Sequence, residues 1–280
     1  MPPLVTAGVD GSPESRAAAV WAAQEASLRE VPLRLVDWPI SPAVPRLDRE
    51  TTDRWADEAL AEPLDDVRRR HPHLEITTRR LSGGRPAGVL AVEAADADLL
   101  VLGSRGLGGL RGYLVGAVGT ATLIATETPV ALVRAAGEPA QYGEIAVGVD
   151  SHEAPDRVLT FAFEEAARRS CALRALHGWQ LPPAYRSFPF LDSEGEREAA
   201  REAAKMLADL LVPWRHRFPA VNVSEMTFMG PSQLVQTAAG ADLLVIGRHL
   251  RRSPLGAHLG LVAHAVLHHA ATPVAVVAHD

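Results

Sequence analysis

A run of glycines between residues 103 and 116 is the part of this sequence best suited to chemistry. The glycines stand at 103, 106, 108, 109, 112 and 116, after the apolar segment 98–102 and before a helical pattern that begins at Gly116. A strand, a glycine-rich loop and a helix N-terminus together expose backbone N–H groups and the positive end of a helix dipole to an anion. The segment therefore predicts a phosphate-binding site.

Alternating strand and helix patterns surround this loop. Apolar runs predict strands over 4–9, 33–37, 74–81, 98–102 and 128–134, and helical spacing predicts helices between them over 13–29, 48–70, 87–94 and 116–126. Ser12 followed by Pro13 is typical of a helix start. The order βαβαβαβαβ predicts an α/β fold with a doubly wound parallel sheet.

The same pattern then recurs about 140 residues later, which indicates an internal duplication. Five blocks of the first half have counterparts in the same order in the second half, at 145–150, 173–179, 230–233, 241–247 and 272–277. Residues 135–142 are typical of a linker. We therefore predict two tandem Rossmann-like domains, 1–138 and 139–280, each with a five-stranded, mainly parallel sheet flanked by helices.

Composition excludes several classes of protein. The net charge of −6 argues against nucleic-acid and anionic-membrane partners, which need a basic surface. Cys171 is the single cysteine, so a disulfide framework is excluded and a reducing compartment is favoured. The sequence shows no signal-peptide pattern and no apolar run long enough to span a membrane, so we expect a cytoplasmic protein.

Together these blocks resemble the universal stress protein family in its tandem form, and the resemblance covers essentially the whole chain. The family's nucleotide motif is G-x2-G-x9-G-[ST], and Gly103, Gly106 and Gly116 satisfy its glycine spacing. Ala117 departs from the motif, which has Ser or Thr at that position. The segment 8–12, Gly-Val-Asp-Gly-Ser, matches the family's first strand and its acidic residue.

The resemblance implies a site for ATP, either alone or with Mg²⁺, at the carboxyl ends of the first, second and fourth strands. Asp10 would contact the nucleoside, the adenine pocket would lie near Asp37 and Trp38, and the glycine-rich loop would wrap the ribose and phosphates. The resulting candidate residues are Gly8, Val9, Asp10, Asp37, Trp38, Gly103, Ser104, Arg105, Gly106, Gly116, Ala117 and Val118. On physical grounds, Gly103 and Gly106 would permit a positive φ and a close approach to the ligand.

The second copy departs further from the motif. Gly247 and Gly260 are in register, but Leu250 replaces the middle glycine and Leu261 replaces the hydroxyl residue. A leucine where backbone must approach a ligand fills the space the ligand needs. We therefore expect one nucleotide site per chain, in the first domain.

Several of the residues that could have a functional role also have a purely structural interpretation. Asp10 can act as a turn or capping aspartate, and Cys171 as a packed side chain. His264 and His268 have a spacing that can bind zinc, but core, cap or interface roles are favoured over a metal site. The arginine runs 68–70 and 79–80 are most simply solvated faces.

The functional hypothesis is a stress-response regulatory protein that binds ATP without a dedicated catalytic apparatus, which leaves room for slow hydrolysis. No catalytic triad, paired-carboxylate motif or phosphate-loop lysine is visible. The alternative is a nucleotide-free scaffold of the same fold, and an ATP-using enzyme ranks last. The resemblance further implies that the last strands of the two copies, around 130–133 and 274–277, pair to form an internal pseudo-dimer, and that chains form homodimers.

Overall fold

A computed structural model of the chain describes residues 2–37, 49–81, 85–106, 113–114, 116–135, 143–150, 156–180, 193–230, 233–250 and 259–279. Strands and helices alternate through the first half. Its elements are β1 (Val5–Val9), α1 (Pro13–Arg29), β2 (Leu33–Asp37), α2 (Arg49–Arg70), β3 (Ile76–Arg80), α3 (Pro86–Ala95), β4 (Leu99–Gly106), β5 (Tyr113–Leu114), α4 (Ala117–Ala125) and β6 (Val130–Arg134).

The second half repeats this order without a counterpart of β5 among the described residues. Its elements are β7 (Glu144–Gly148), α5 (Asp156–Arg169), β8 (Ala172–Trp179), α6 (Ser193–Arg217), β9 (Val223–Met229), α7 (Gln233–Thr237), β10 (Leu243–His249), α8 (Leu261–His269) and β11 (Val274–His279). The boundary predicted at 138/139 falls between β6 and β7, where residues 136–142 lie outside the described part of the chain.

All the strands belong to one continuous sheet with the order β3-β2-β1-β4-β6-β11-β10-β7-β8-β9, and β5 pairs with β4. Within each half the five main strands are parallel, as the sequence predicts. The halves join where β6 and β11 pair antiparallel, with Ala131 opposite Ala275. These are the two strands that the family resemblance implies should pair.

Helices cover both faces of this sheet. One apolar core lies under α1, α2, α5 and α6, and the other under α3, α4, α7 and α8. A row of small side chains on α1 lets this helix lie close to the sheet: Ala18, Ala19, Ala22, Ala23 and Ala26 are all fully buried. Ser12 caps α1 by accepting a hydrogen bond from the Ser15 N–H, and Pro13 occupies its first turn, as predicted.

A buried charged cluster joins α1 to α5 across the two halves. Arg29 Nη2 donates to Glu165 Oε1 at 2.5 Å, and Arg169 pairs with both Glu25 and Glu165. Glu25 is 1% exposed and Glu165 is fully buried. Because Glu165 and Arg169 lie in the second copy at the positions of Glu25 and Arg29, the cluster follows the symmetry of the duplication.

None of the helices formed by the described residues combines the length and apolar character that a bilayer crossing needs.

Candidate functional site

The strand order of the first domain reverses between β1 and β4, and this is where its candidate site lies. From the carboxyl end of β1 the chain passes to α1 on one face of the sheet, and after β4 it passes to α4 on the other face. Ligands of open α/β sheets bind in the crevice that such a reversal creates. Val9 and Asp37 stand side by side at the ends of β1 and β2, so this edge brings together the first two predicted contact regions.

Asp10 forms a local turn at the start of this edge. Its Oδ1 accepts hydrogen bonds from the Ser12 N–H at 3.0 Å and the Ser12 hydroxyl at 2.5 Å. The Asp10 N–H donates in turn to the Ser15 hydroxyl at 3.2 Å. The turn-forming role weighed from the sequence is therefore present, and it holds this half-buried carboxylate at the mouth of the crevice.

Asp37 is the most perturbed acid at this edge. Burial raises its pKa to about 6, the Arg80 guanidinium acts in the opposite direction, and Asp10 and Asp57 raise it further. Arg80 Nε lies 3.9 Å from Asp37 Oδ2, beyond hydrogen-bond reach. Oδ2 is buried and has no hydrogen-bond partner among the described residues. A buried oxygen without a partner is costly, so Asp37 is suited to receive a hydrogen bond from a ligand.

Arg80 is a residue whose role the sequence interpretation missed. It was read with Arg79 as part of a solvated face, but Arg80 stands beside Asp37 in the β2–β3 register and donates to Asp57 Oδ1 at 2.6 Å. Arg79 also has a partner, because its Nη1 lies 3.0 Å from Glu93 Oε1. The signal was available in principle, because both arginines end β3 at the edge where Asp37 ends β2.

Two glycines of the candidate set have packing reasons that need no ligand. A Cβ on Gly103 would lie 2.6–2.7 Å from the backbone of Glu14 and Ser15 in the first turn of α1, and its φ is outside the left-handed region. A Cβ on Gly8 would lie 2.7 Å from the Leu102 side chain. The positive φ expected for Gly103 is therefore wrong, because the glycine lets α1 pack on β4; its approach to a ligand stays a prediction.

The strand before the loop is longer than expected. It was predicted to end at residue 102, but β4 continues to Gly106 because Arg105 and Gly106 pair with the short antiparallel strand β5. Ser104 is 2% exposed, and its hydroxyl accepts a hydrogen bond from Arg134. Ser104 is thus a buried structural contact. Trp38 and loop residues 107–112 lie outside the described part of the chain.

The N-terminus of α4 has the features expected of an anion site. Gly116 is its N-cap, no side chain caps the helix, and its first turn contains no acidic residue. Gly116, Ala117 and Val118 are exposed, and no atom of the described residues lies within 4 Å of a Cβ built on Gly116. The first N–H groups of a helix have no internal partners, so they are available to phosphate oxygens.

The second copy keeps the helix but changes its surroundings. Gly260 caps α8 with φ −59° and ψ 159°, close to the −56° and 157° of Gly116. At the position of Asp37 the second copy has His177, whose Nδ1 lies 2.9 Å from the Val149 carbonyl oxygen. The Leu250 N–H donates to the His279 carbonyl at 2.8 Å. At the equivalent edge of the second copy, His177 and Leu250 therefore already form hydrogen bonds within the protein.

The remaining reactive side chains in the described part of the chain lie apart from this edge or are packed. The rings of His264 and His268 are 4.3 Å apart. Within the described ranges, no three His, Cys, Asp or Glu side chains gather as a metal-binding group. Cys171 is half-buried, and burial raises the pKa of its thiol, which disfavours the reactive thiolate.

Comparison with known proteins decides the family. Residues 4–134 and 141–278 each match the model of the universal stress protein family. The chain belongs to this family. A universal stress protein of Mycobacterium tuberculosis is 32% identical over an alignment of 291 residues. This alignment covers 97% of this chain and 96% of that protein. Another from Mycolicibacterium smegmatis is also 32% identical, over 98% of this chain and 96% of its own length.

Among solved structures, a universal stress protein from Archaeoglobus fulgidus aligns with a TM-score of 0.70 at 15% identity, covering 99% of this chain and 98% of that one. At this identity the likeness bears on the fold alone. The family resemblance and the tandem α/β fold class inferred from the sequence are both confirmed.

Proposed function

We propose that this universal stress protein binds ATP in its N-terminal domain and acts as a stress-response regulator without a catalytic apparatus of its own. The observation that carries the proposal is the exposed N-terminus of α4, which no side chain caps, at the carboxyl edge where the strand order reverses between β1 and β4. Its free N–H groups suit the phosphates. Asp37, whose buried Oδ2 has no hydrogen-bond partner among the described residues, suits the base end of the same ligand.

ATP fits the donors of this site better than a protein-bound metal does. The first turn of α4 offers N–H groups and no carboxylate. Where ATP carries Mg²⁺, we propose that its phosphates and water supply the metal ligands, because the described residues contain no group of three metal-binding side chains. The role of the chain is to bind and orient the nucleotide.

The antiparallel contact of β6 and β11 supports a further part of the proposal, in which the two domains act as an internal pseudo-dimer. A regulator of this kind works only if the nucleotide binds one conformational or partner-bound state more tightly than another. We also propose that chains form homodimers in the cytoplasm. Light scattering during size-exclusion chromatography, with and without ATP, tests the homodimer directly.

A second candidate, a scaffold that has lost nucleotide binding in both domains, is favoured by two observations. Gly103 is explained by packing against α1, so part of the glycine motif needs no ligand. Ala117 also lacks the hydroxyl of the family motif. This candidate predicts that the purified protein neither retains nor binds adenine nucleotides.

Replacing Gly106 with Leu separates the two candidates. The substitution copies Leu250 of the second domain and should abolish ATP binding measured by calorimetry. Gly88→Leu is a matched control, because Gly88 is exposed on α3 and a Cβ there meets no described atom within 4 Å. Wild type and Gly88→Leu should bind ATP alike. Equal binding by Gly106→Leu would move the site elsewhere, and absence of binding by wild type would favour the scaffold.

A further inference from the structure

Two buried arginines cross between the domains in opposite directions. Arg134, at the end of β6, donates from Nη2 to the Leu267 carbonyl at 2.6 Å and from Nε to the Ala270 carbonyl at 3.3 Å. Arg248, on β10, donates from Nη2 to the Thr126 carbonyl at 2.7 Å. Thr126 and Ala270 are the C-caps of α4 and α8. Each domain therefore holds the C-terminus of the other domain's helix that follows the glycine-rich loop.

The contact from Arg248 is well placed to stabilise α4. Arg248 is 4% exposed, and its other hydrogen bond in the described part of the chain goes to the carbonyl of its neighbour His249 at 3.3 Å. A buried guanidinium needs acceptors, and the last carbonyls of a helix supply both hydrogen bonds and the negative end of the dipole. Moving the end of α4 would leave the buried Arg248 guanidinium without the Thr126 carbonyl as its acceptor. The helix end and the arginine therefore stabilise each other's position.

Apart from its packing against α3, α4 has few buried side chains of its own. The helix has nine residues, and only Thr122 and Leu123 within it are buried. The equivalent helix α8 buries three apolar side chains, Ala263, Val266 and Leu267. A short helix with so little apolar burial depends strongly on its terminal contacts. Loss of the Arg248 contact is therefore expected to let α4 shift or fray.

We infer that Arg248 of the second domain is a positioning residue for the nucleotide site of the first domain. By holding the C-terminus of α4 it fixes the direction of that helix, and so the placement of the N–H groups at Gly116 and Ala117. This inference rests on the proposed ATP site and adds the second domain to it. It gives a reason for a degenerate second copy: that copy helps to form the site of the first.

The duplication sharpens this inference. Arg248 follows Gly247 as Ser104 follows Gly103, so the anchoring arginine stands where the first copy has a serine. Ser104 is itself held by Arg134. The residue after the first loop glycine therefore differs between the copies, Ser104 in the first and Arg248 in the second. Arg248, which holds α4, belongs to the copy in which Leu250 replaces the middle glycine of the loop.

The test compares ATP with adenosine in the full-length protein. Arg248→Ala should weaken ATP binding by about tenfold, the value of one or two lost hydrogen bonds to phosphate, and leave adenosine binding within about twofold. Arg248→Lys keeps the charge and should restore part of the loss. Hydrogen exchange of the α4 amides should accelerate in Arg248→Ala.

Arg174→Ala is the matched control, since Arg174 Nη1 donates to the Thr237 carbonyl at 2.9 Å and so caps α7 within the second domain. It should lower stability and leave ATP affinity unchanged. The inference is overturned if Arg248→Ala binds ATP as wild type does, or loses ATP and adenosine equally. If wild type binds no ATP, the proposed function fails first and the inference falls with it.

Discussion

Glutamine in place of Glu25 should make this protein more stable above neutral pH. Glu25 lies in the buried cluster between α1 and α5, where burial, followed by repulsion from Glu165, raises its pKa from 4.5 to about 7. Arg169 and Arg29 act in the opposite direction without cancelling the rise. The folded protein therefore binds a proton at Glu25 that the unfolded chain has already released in this pH range.

The sign and size of the effect follow from linkage. A carboxyl group whose pKa is higher in the folded state contributes stability at low pH, and that stability is lost as pH rises through the folded pKa. With values of 4.5 unfolded and about 7 folded, the loss between about pH 6 and about pH 8 is about 1 kcal/mol. The full cost of ionising Glu25 in the folded state is about 3 kcal/mol.

The assay is urea unfolding across this pH range. Wild-type stability should fall from about pH 6 to about pH 8, and Glu25→Gln should remove that part of the slope and be the more stable protein at the upper end. His71 contributes in the opposite direction, because burial lowers its pKa, and Asp37 contributes mainly below the window. Both remain in the variant, so the difference between the two proteins isolates Glu25.

Glu165→Gln provides the contrast. Burial acts to raise the pKa of Glu165, but the guanidinium groups of Arg29 and Arg169 outweigh it and keep this carboxylate ionised. Removing the charge of Glu165 leaves the buried guanidinium groups of Arg29 and Arg169 without this counter-ion. The variant should therefore be less stable by about 3–5 kcal/mol at all these pH values. A difference in stability between wild type and Glu25→Gln that stays constant from about pH 6 to about pH 8 would refute the assignment.

Two further predictions concern glycine and the missing hydroxyl. Gly103→Ala should destabilise the protein by about 1–3 kcal/mol or more, because the new methyl group meets the backbone of α1. Gly88→Ala, at an exposed position of α3, should be neutral or stabilise the protein by up to about 1 kcal/mol. Thermal unfolding compares the two variants, and equal stabilities would contradict the packing role of Gly103. Ala117→Ser should restore the motif hydroxyl and tighten ATP binding by about five- to tenfold; unchanged affinity in calorimetry would mean that this position does not face the phosphate.

Much of the fold could be predicted because local pattern and tertiary structure agree. The strand 33–37 was placed at its observed limits, and Ser12 and Pro13 marked the start of α1. The duplication predicted the second domain, and the family resemblance implied that β6 and β11 pair, though not that they pair antiparallel. The end of β4 was missed because its last residues pair with β5, a contact that apolar periodicity cannot register.

The location of the candidate site could be predicted from the sequence, but the structural roles of several of its residues could not. Spacing alone could not show that Gly103 faces the backbone of α1, since a glycine required by packing looks the same as one required by a ligand. Arg80 was hidden in a run of charge, and the partners of Arg248 and Glu25 lie in the other domain. Such contacts depend on which residues the two halves bring together, and no local pattern records that.

Calorimetric titration of the full-length protein with ATP tests the central claim most directly. The helices α4 and α8 both have an exposed N-cap glycine, but in the second copy His177 and Leu250 already form hydrogen bonds within the protein, so we predict binding of one ATP per chain. Absence of binding would contradict the nucleotide site, and two ATP molecules per chain would contradict the inequality of the two domains.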